Sequence, residues 1–183
     1  MINKKYLKLL RSRKNIQNSN FIYEKISERI IDSLDLVLVK FDEILEIGIN
    51  ENKTFNFLKN KYPNSNFTRS EIYKFKNYYK DSSKFTEIDL DNLDLLSNHY
   101  NLIYSNLLLH LSANFENLLS RIYNKLKSNS LFIATIPDSD NIFQLVNSMF
   151  DTDLYLYKGA YQRVNPTIQI DEILRLLNKL KFD

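Results

Sequence analysis

The sequence predicts an α/β domain: a three-layer sandwich in which a mostly parallel sheet of about five strands carries helices on both faces. Three observations predict it. Short apolar runs of strand length alternate with stretches of helical period at crossover spacing. A glycine, one of only two in 183 residues, closes the first apolar run and opens a helical stretch. The length suits one hydrophobic core rather than two, and no repeat or low-complexity block interrupts the alternation.

Residues 1–23 hold Lys4, Lys5, Lys8, Arg11, Arg13 and Lys14 and no acid. Organelle-targeting segments share that bias, as do soluble basic helices; the serine richness of the former is missing. In Asn20 to Leu36, Phe21, Ile22, Ile26, Ile30 and Leu34 recur at helical intervals opposite Glu24, Lys25, Glu28 and Arg29, which predicts an amphipathic helix. Residues 1–40 thus form a helical approach to a core of residues 41–183. Phe41 to Gly48 is the first strand and its turn, and Lys53 to Lys61 the first crossover helix. After a turn at Pro63, Asn66 to Arg69 is the second strand, Ile72 to Tyr79 a second crossover helix, and Phe85 to Leu90 a third strand. Asn101 to Leu107 is the fourth strand. Leu118, Leu119, Ile122, Tyr123 and Leu126 stripe the helix that follows, and Lys127 to Ser130 breaks it. Leu131 to Ile136 is a fifth strand stopped by Pro137, which cannot donate to a ladder. Asp138, Ser139 and Asp140 offer N-caps for a helix over Ile142 to Phe150; an irregular aromatic stretch, Leu154 to Tyr161, precedes a last helix over Thr167 to Leu180.

Composition excludes several classes of function. A formal charge of +3 with 26% charged residues is not the profile of a dedicated nucleic-acid binder. The absence of cysteine removes disulfides and cysteine-ligated metals, and no metal site is expected. The longest apolar runs are too short to span a bilayer. A cytoplasmic location follows as the expectation, or the mitochondrial matrix in a eukaryotic cell. Neither a Gly-Lys-Ser/Thr phosphate loop nor a nucleophile elbow occurs.

In a parallel sheet of this kind ligands bind beyond the carboxyl ends of the strands, so the loops after Ile47, Arg69, Asp89 and Leu107 are the candidate site. The first contains Glu46-Ile-Gly48-Ile-Asn50-Glu-Asn52, an acid and a glycine where the chain must turn tightly. Glu87-Ile-Asp89-Leu-Asp91 lies about eleven positions before Tyr100 to Asn106. These segments resemble the cofactor loops of the Rossmann-like class I S-adenosylmethionine-dependent methyltransferases. The resemblance implies that Glu46 and Gly48 stand in the first loop, with Asn50 and Asn52 replacing two further glycines and bringing side chains where the family has none. Asp89 resembles the acid that accepts from the adenine amine. For the acid that holds the ribose hydroxyls two alignments stand: Thr68 in its place, followed by Ser70 and Glu71, or Glu71 itself after a loop shift. Asn106, ending the fourth strand, completes the implied cofactor contacts; the catalytic residues stay unassigned.

The downstream half, Tyr100 to His110, Leu118 to Ser128 and Leu131 to Ala134, is similar to the subgroup of biotin-synthesis carrier-protein methyltransferases and the mitochondrial complex I assembly methyltransferase-like proteins. That subgroup also has an arginine-containing approach followed by a long helix, like Arg11-Ser-Arg13 and Phe21 to Leu36, and after its fifth strand a helix, an irregular stretch and a proline-containing turn, like Asn141 to Pro166. Its last helix leads into a hairpin of two further strands, which this sequence does not contain before Asp183; a sheet lacking them exposes an edge, so that either the gene product is truncated or split, or a protein partner covers that edge. The resemblance implies an S-adenosylmethionine-dependent methyltransferase acting on a small molecule, a carrier-bound acid or a protein. The alternative is a degenerate methyltransferase fold that serves in binding or respiratory-complex assembly.

Other residues admit two readings each. His110, just past the fourth strand, is a candidate base or an ordinary packed histidine. Tyr155, Tyr157 and Tyr161 either roof a substrate pocket or pack beneath a loop. Lys74, Lys76, Lys80 and Lys84, interleaved with Phe75, Tyr78 and Tyr79, suit RNA stacking or a solvated helix face.

Overall fold

The computed structural model describes residues 4–12, 21–73, 83–93, 99–161 and 168–183. The described chain divides into two compact units, residues 1–136 and 137–183. In the first, helices α1 (Lys4–Ser12) and α2 (Phe21–Asp35) precede β1 (Glu43–Ile47), α3 (Lys53–Lys61), β2 (Asn66–Glu71), β3 (Lys84–Glu87), β4 (Tyr100–Asn106), α4 (Phe115–Lys125) and β5 (Leu126–Thr135). A single 3-10 turn, Leu109–Leu111, lies between β4 and α4.

The five strands form one parallel sheet in the order β3-β2-β1-β4-β5, the α/β architecture with helices around a parallel sheet that the sequence predicts. From β1 the chain winds one way to β2 and β3, then returns to β4 and winds the other way to β5. Right-handed crossovers therefore put α3 and α4 on opposite faces, and the reversal between β1 and β4 opens the crevice where such sheets hold ligands.

Burial follows the two faces. Ile44, Leu102 and Tyr104 point to one side and form a single core cluster with Ile30 and Leu34 of α2 and Leu58 of α3. Leu45, Ile47 and Ile103 alternate to the other side and are fully buried. The α4 stripe of Leu118, Leu119 and Ile122 is equally buried, each side chain contributing about 1.5–3 kcal/mol. Central strands buried on both faces explain why β1 and β4 read as apolar runs rather than alternating ones.

Four expectations change. β2 continues two residues past Arg69 to Glu71, because Ser70 and Glu71, polar as they are, find buried partners. Lys127 to Ser130, expected to break the chain, opens β5 instead; a register shift against β4 between Tyr100 and Leu102 and a left-handed Asn129 absorb the irregularity at the sheet edge. In the second unit α5 spans Phe143–Tyr157, so the tyrosine-rich stretch expected to be irregular is helical as far as Tyr157, and left-handed Lys158 ends it. The N-cap of α5 is Ile142, which supplies no acceptor, in place of the acids expected to cap it; residues 139–142 form a 3-10 turn. The same unit holds α6 (Ile170–Lys179), and Asp153 accepts from the Tyr161 amide at 3.4 Å. Lys74, Phe75, Lys76, Tyr78, Tyr79 and Lys80 of the expected second crossover helix, together with Arg13, Lys14 and Pro166, lie outside the described residues.

Candidate functional site

Glu46, Arg69 and Tyr104 occupy one row across the sheet, since Glu46 is in register with Arg69 on β2 and with Tyr104 on β4. Side chains in register share a face, so the three meet inside the α2–α3 layer. Arg69 Nε donates to Glu46 Oε2, its Nη1 to Asn52 Oδ1 at 3.0 Å, and its guanidinium lies 4.1 Å over the Phe55 ring. Burial pushes the Glu46 carboxyl up to about 7, and Arg69 works against that rise. Burial, and then the charge of Glu46, raise the Tyr104 phenol well above its ordinary value. Glu46 therefore anchors β1 to its neighbours, and Asn52 serves Arg69 at the start of α3.

Gly48 has φ +90°, a conformation open to glycine and strained for other residues. A Cβ there would stand 2.6 Å from Leu108 Cδ2 and 2.7 Å from Leu108 Cβ. The requirement for glycine thus comes both from the turn and from Leu108 packed over it.

Beyond Gly48 the side chains converge on Arg11 of α1. Arg11 Nη1 donates to Asn50 Oδ1 at 2.8 Å, and Asn50 Nδ2 donates to the Asn106 carbonyl, so Asn50 bridges the ends of β1 and β4. Arg11 Nε and Nη2 donate to the two oxygens of Glu71. Glu71 Oε2 also accepts from the Ile49 amide at 3.0 Å and Oε1 from the Ile72 amide at 2.8 Å. A carboxylate offers about four lone-pair sites, and these four donors match that capacity. Asn106 Nδ2 donates to Ser27 Oγ at 3.1 Å, and its Oδ1 accepts from Thr135 Oγ1 at 3.2 Å. Asn106 thereby ties α2 to the ends of β4 and β5.

Farther along α1, Lys4 Nζ lies 3.0 Å from Asp89 Oδ2 and 2.7 Å from Asp91 Oδ2, and Lys8 Nζ 2.8 Å from Glu87 Oε1. Burial works to raise the Asp91 carboxyl, but Lys4, the Ser112 hydroxyl and the Ala113 amide outweigh it and leave its pKa below the usual value. Between α1 and the loop after β3 lies a cavity of about 370 Å³. Its apolar walls include Leu7, Ile72, Ile88, Leu90 and Leu111, and Asp89 and Asp91 supply acceptors.

The structure thus brings Gly48, Asn50, Glu71 and Asn106 to the carboxyl ends of the strands, with Asp89 lining the adjoining cavity. Thr68 sits in the middle of β2, opposite Leu45 and Lys84, where its hydroxyl partners the Tyr100 phenol. The Ser70 hydroxyl donates to the Glu46 carbonyl at 2.7 Å. Neither faces the cavity, and Glu71 is the acid that ends β2. His110 stands nearby with its Nδ1 buried and without a hydrogen-bond partner among the described residues; burial and then the charge of Arg11 lower its pKa, keeping the imidazole neutral near pH 7. Lys4, Lys8 and Leu108 were not readable as site residues from local sequence. The signal for the cations was the spacing of Lys4, Lys8 and Arg11, which puts all three on one helical face. Among the described residues no group of three or more His, Asp or Glu side chains is arranged to hold a metal, and no helix is long and apolar enough to cross a membrane.

The chain matches no protein-family model. Over 127 residues it is 23% identical to a malonyl-[acyl-carrier protein] O-methyltransferase of Calditerrivibrio nitroreducens, a match covering 69% of the chain and 51% of that relative. The chain thus spans about half the length of the curated relative it matches. Among solved structures it resembles the plantazolicin methyltransferase BpumL in complex with SAH, with TM-score 0.64 and 19% identity over 90% of this chain and 65% of that one. It also resembles an S-adenosylmethionine-dependent methyltransferase from Clostridium acetobutylicum, with TM-score 0.57 and 19% identity over 78% of this chain and 58% of the other. The fold is that of the class I S-adenosylmethionine-dependent methyltransferase superfamily, in which structures are known with SAH bound.

Proposed function

We propose that this chain binds S-adenosylmethionine through its first unit and takes part in methyl transfer to a small molecule or a carrier-bound acid. The observation that carries the reading is the cavity at the ends of β2 and β3. Its apolar walls at Ile72, Ile88, Leu90 and Leu111 suit the faces of a purine, and Asp89 offers an acceptor for an exocyclic amine. Glu71 ends β2 next to Ile72 of this cavity and would accept from a ribose diol once Arg11 leaves it. When bound, the cofactor supplies an electrophilic methyl group on sulfur. Transfer of such a group depends chiefly on orienting donor and acceptor and on excluding water, so the reading does not require a dedicated base.

The malonyl-[acyl-carrier protein] substrate named for the Calditerrivibrio relative and the monoazolic desmethylPZN analog bound to BpumL support an acceptor of small or carrier-bound type. A specific observation favours the second reading, a binding protein without turnover: Arg11 engages both oxygens of Glu71, and Asn50 closes the crevice between β1 and β4.

Titration calorimetry with S-adenosylmethionine and SAH tests the proposal. Saturable binding is expected, and Asp89→Ala weakens it about tenfold through loss of one hydrogen bond to the base. Absence of binding at millimolar ligand refutes the cofactor reading. Unchanged affinity in Asp89→Ala refutes the assignment of the base to this cavity.

A further inference from the structure

We infer that α1 is an internal occupant of the cofactor site, and that Arg11 and an adenosyl ligand compete for Glu71. This inference rests on the proposed adenosyl site and adds the element that controls access to it.

The geometry behind it is an accounting of donors. Glu71 is fully buried, and its acceptor positions are taken by two backbone amides and two nitrogens of Arg11. The amides belong to the turn after β1 and to the strand end itself, so they are fixed by the fold. Only Arg11 can leave. A ribose diol offers two O–H donors to one carboxylate, the same demand the guanidinium fork makes; both cannot be met together. Arg11 also fixes Asn50 Oδ1, so the same departure frees the side chain that bridges β1 and β4. Lys4 repeats the pattern at the cavity, where its ammonium reaches both oxygens of Asp89 at 3.0 Å. Lys8 holds the segment between them to Glu87.

The three cations recur every three to four residues along a nine-residue helix, so they act as one face and release as one face. The bonds at the two ends differ in strength of hold. Arg11 is 7% exposed and its pair with Glu71 is little screened, whereas the lysine pairs are half exposed and weak individually. Arg11 is therefore the latch, and the lysines align the helix over the strand ends. Because only the fraction of molecules with Arg11 withdrawn can offer Glu71, the apparent affinity is lower than the intrinsic one by that fraction.

The test is SAH binding by calorimetry to the full chain, to Arg11→Met and to Lys4→Ser/Lys8→Ser, together with amide hydrogen exchange of residues 4–12. Methionine keeps the buried stem of Arg11 without its donors. The lysine pair is exposed, so its replacement carries the test if Arg11→Met does not fold. Arg11→Met is expected to bind SAH about tenfold or more tightly than the parent, the double lysine variant several-fold more tightly, and SAH is expected to speed exchange in residues 4–12 of the parent. Binding by the variants alone also supports the latch. Binding by the parent that is unchanged or weakened in the folded variants, with α1 equally protected with and without SAH, overturns the latch and leaves the cofactor reading standing. No binding by any of the three overturns the cofactor reading, and the latch with it.

Discussion

Gly48→Ala tests the geometry of the first loop with a magnitude that can be worked from two separate costs. A φ of +90° lies in a region that costs an L-residue about 1–2 kcal/mol. The added Cβ would meet Leu108 Cδ2 at 2.6 Å, Cβ at 2.7 Å and Cγ at 3.1 Å. A rotamer change moves the two outer atoms, but Leu108 Cβ moves only with its backbone, so the segment after β4 has to shift. Overpacking of that kind costs about 1–3 kcal/mol. The expected loss is therefore about 2–5 kcal/mol, a large share of the roughly 5–15 kcal/mol that holds a domain folded. Urea denaturation followed by circular dichroism measures it. Gly159→Ala is the internal control, because its nearest neighbour is the Tyr157 carbonyl at 4.0 Å; it stays within about 0.5 kcal/mol of the parent. Adding Leu108→Ala to Gly48→Ala recovers only part of the loss, since the Cβ contact at 2.7 Å persists. Stability of Gly48→Ala within about 0.5 kcal/mol of the parent would refute both the loop conformation and the packing of Leu108 over it.

Two further outcomes follow from the same structure. Leu119→Ala, at a fully buried position of the α4 stripe, lowers unfolding free energy by about 2–5 kcal/mol, whereas Asn124→Ala at an exposed position of the same helix changes it by less than about 0.5 kcal/mol; equal effects would contradict the placement of α4 against the sheet. Glu46, with its folded pKa raised to about 7 from 4.5, contributes stability that is fully present below about pH 4.5 and lost as pH rises through 7. Glu46→Gln has no such loss, so from pH 5 to pH 8 the melting temperature of the parent falls relative to the variant; a constant difference across that range would show that Glu46 ionises normally.

The sheet was legible because its central strands leave an unambiguous trace. Ile44, Leu45 and Ile47, and Leu102 and Ile103, are buried on both faces, and a buried parallel strand flanked by Gly48 or by polar turns has few other interpretations. Legibility failed where a residue's environment is supplied from far along the chain. Ser70 and Glu71 look like a loop beside Arg69, yet they are strand residues because Glu46, 24 positions away, and Arg11, 60 positions away, satisfy them. Lys127 to Ser130 failed for the opposite reason: on an edge strand Lys127, Ser128 and Asn129 are exposed and Ser130 is half-buried, so no alternating burial marks them as β. The same distinction governs the site. The spacing to β4 singled out Asp89, which lines the cavity, whereas which of Thr68 and Glu71 ends β2 is a tertiary fact that the local sequence does not carry.

Charge balance explains why an unremarkable net charge hides a strongly organised site. Glu71 ends β2, and Glu87, Asp89 and Asp91 lie at and just beyond the carboxyl end of the adjacent β3. Lys4, Lys8 and Arg11 of α1 answer them from one helical face. These three cations of α1 are thus engaged by the carboxylates at the strand ends. Any ligand that takes those carboxylates must replace both the hydrogen bonds and some of the positive charge that α1 supplies. An adenosyl group bearing a sulfonium brings hydroxyl and amine donors and one cationic centre together, whereas a purely anionic nucleotide would add to the repulsion that α1 relieves.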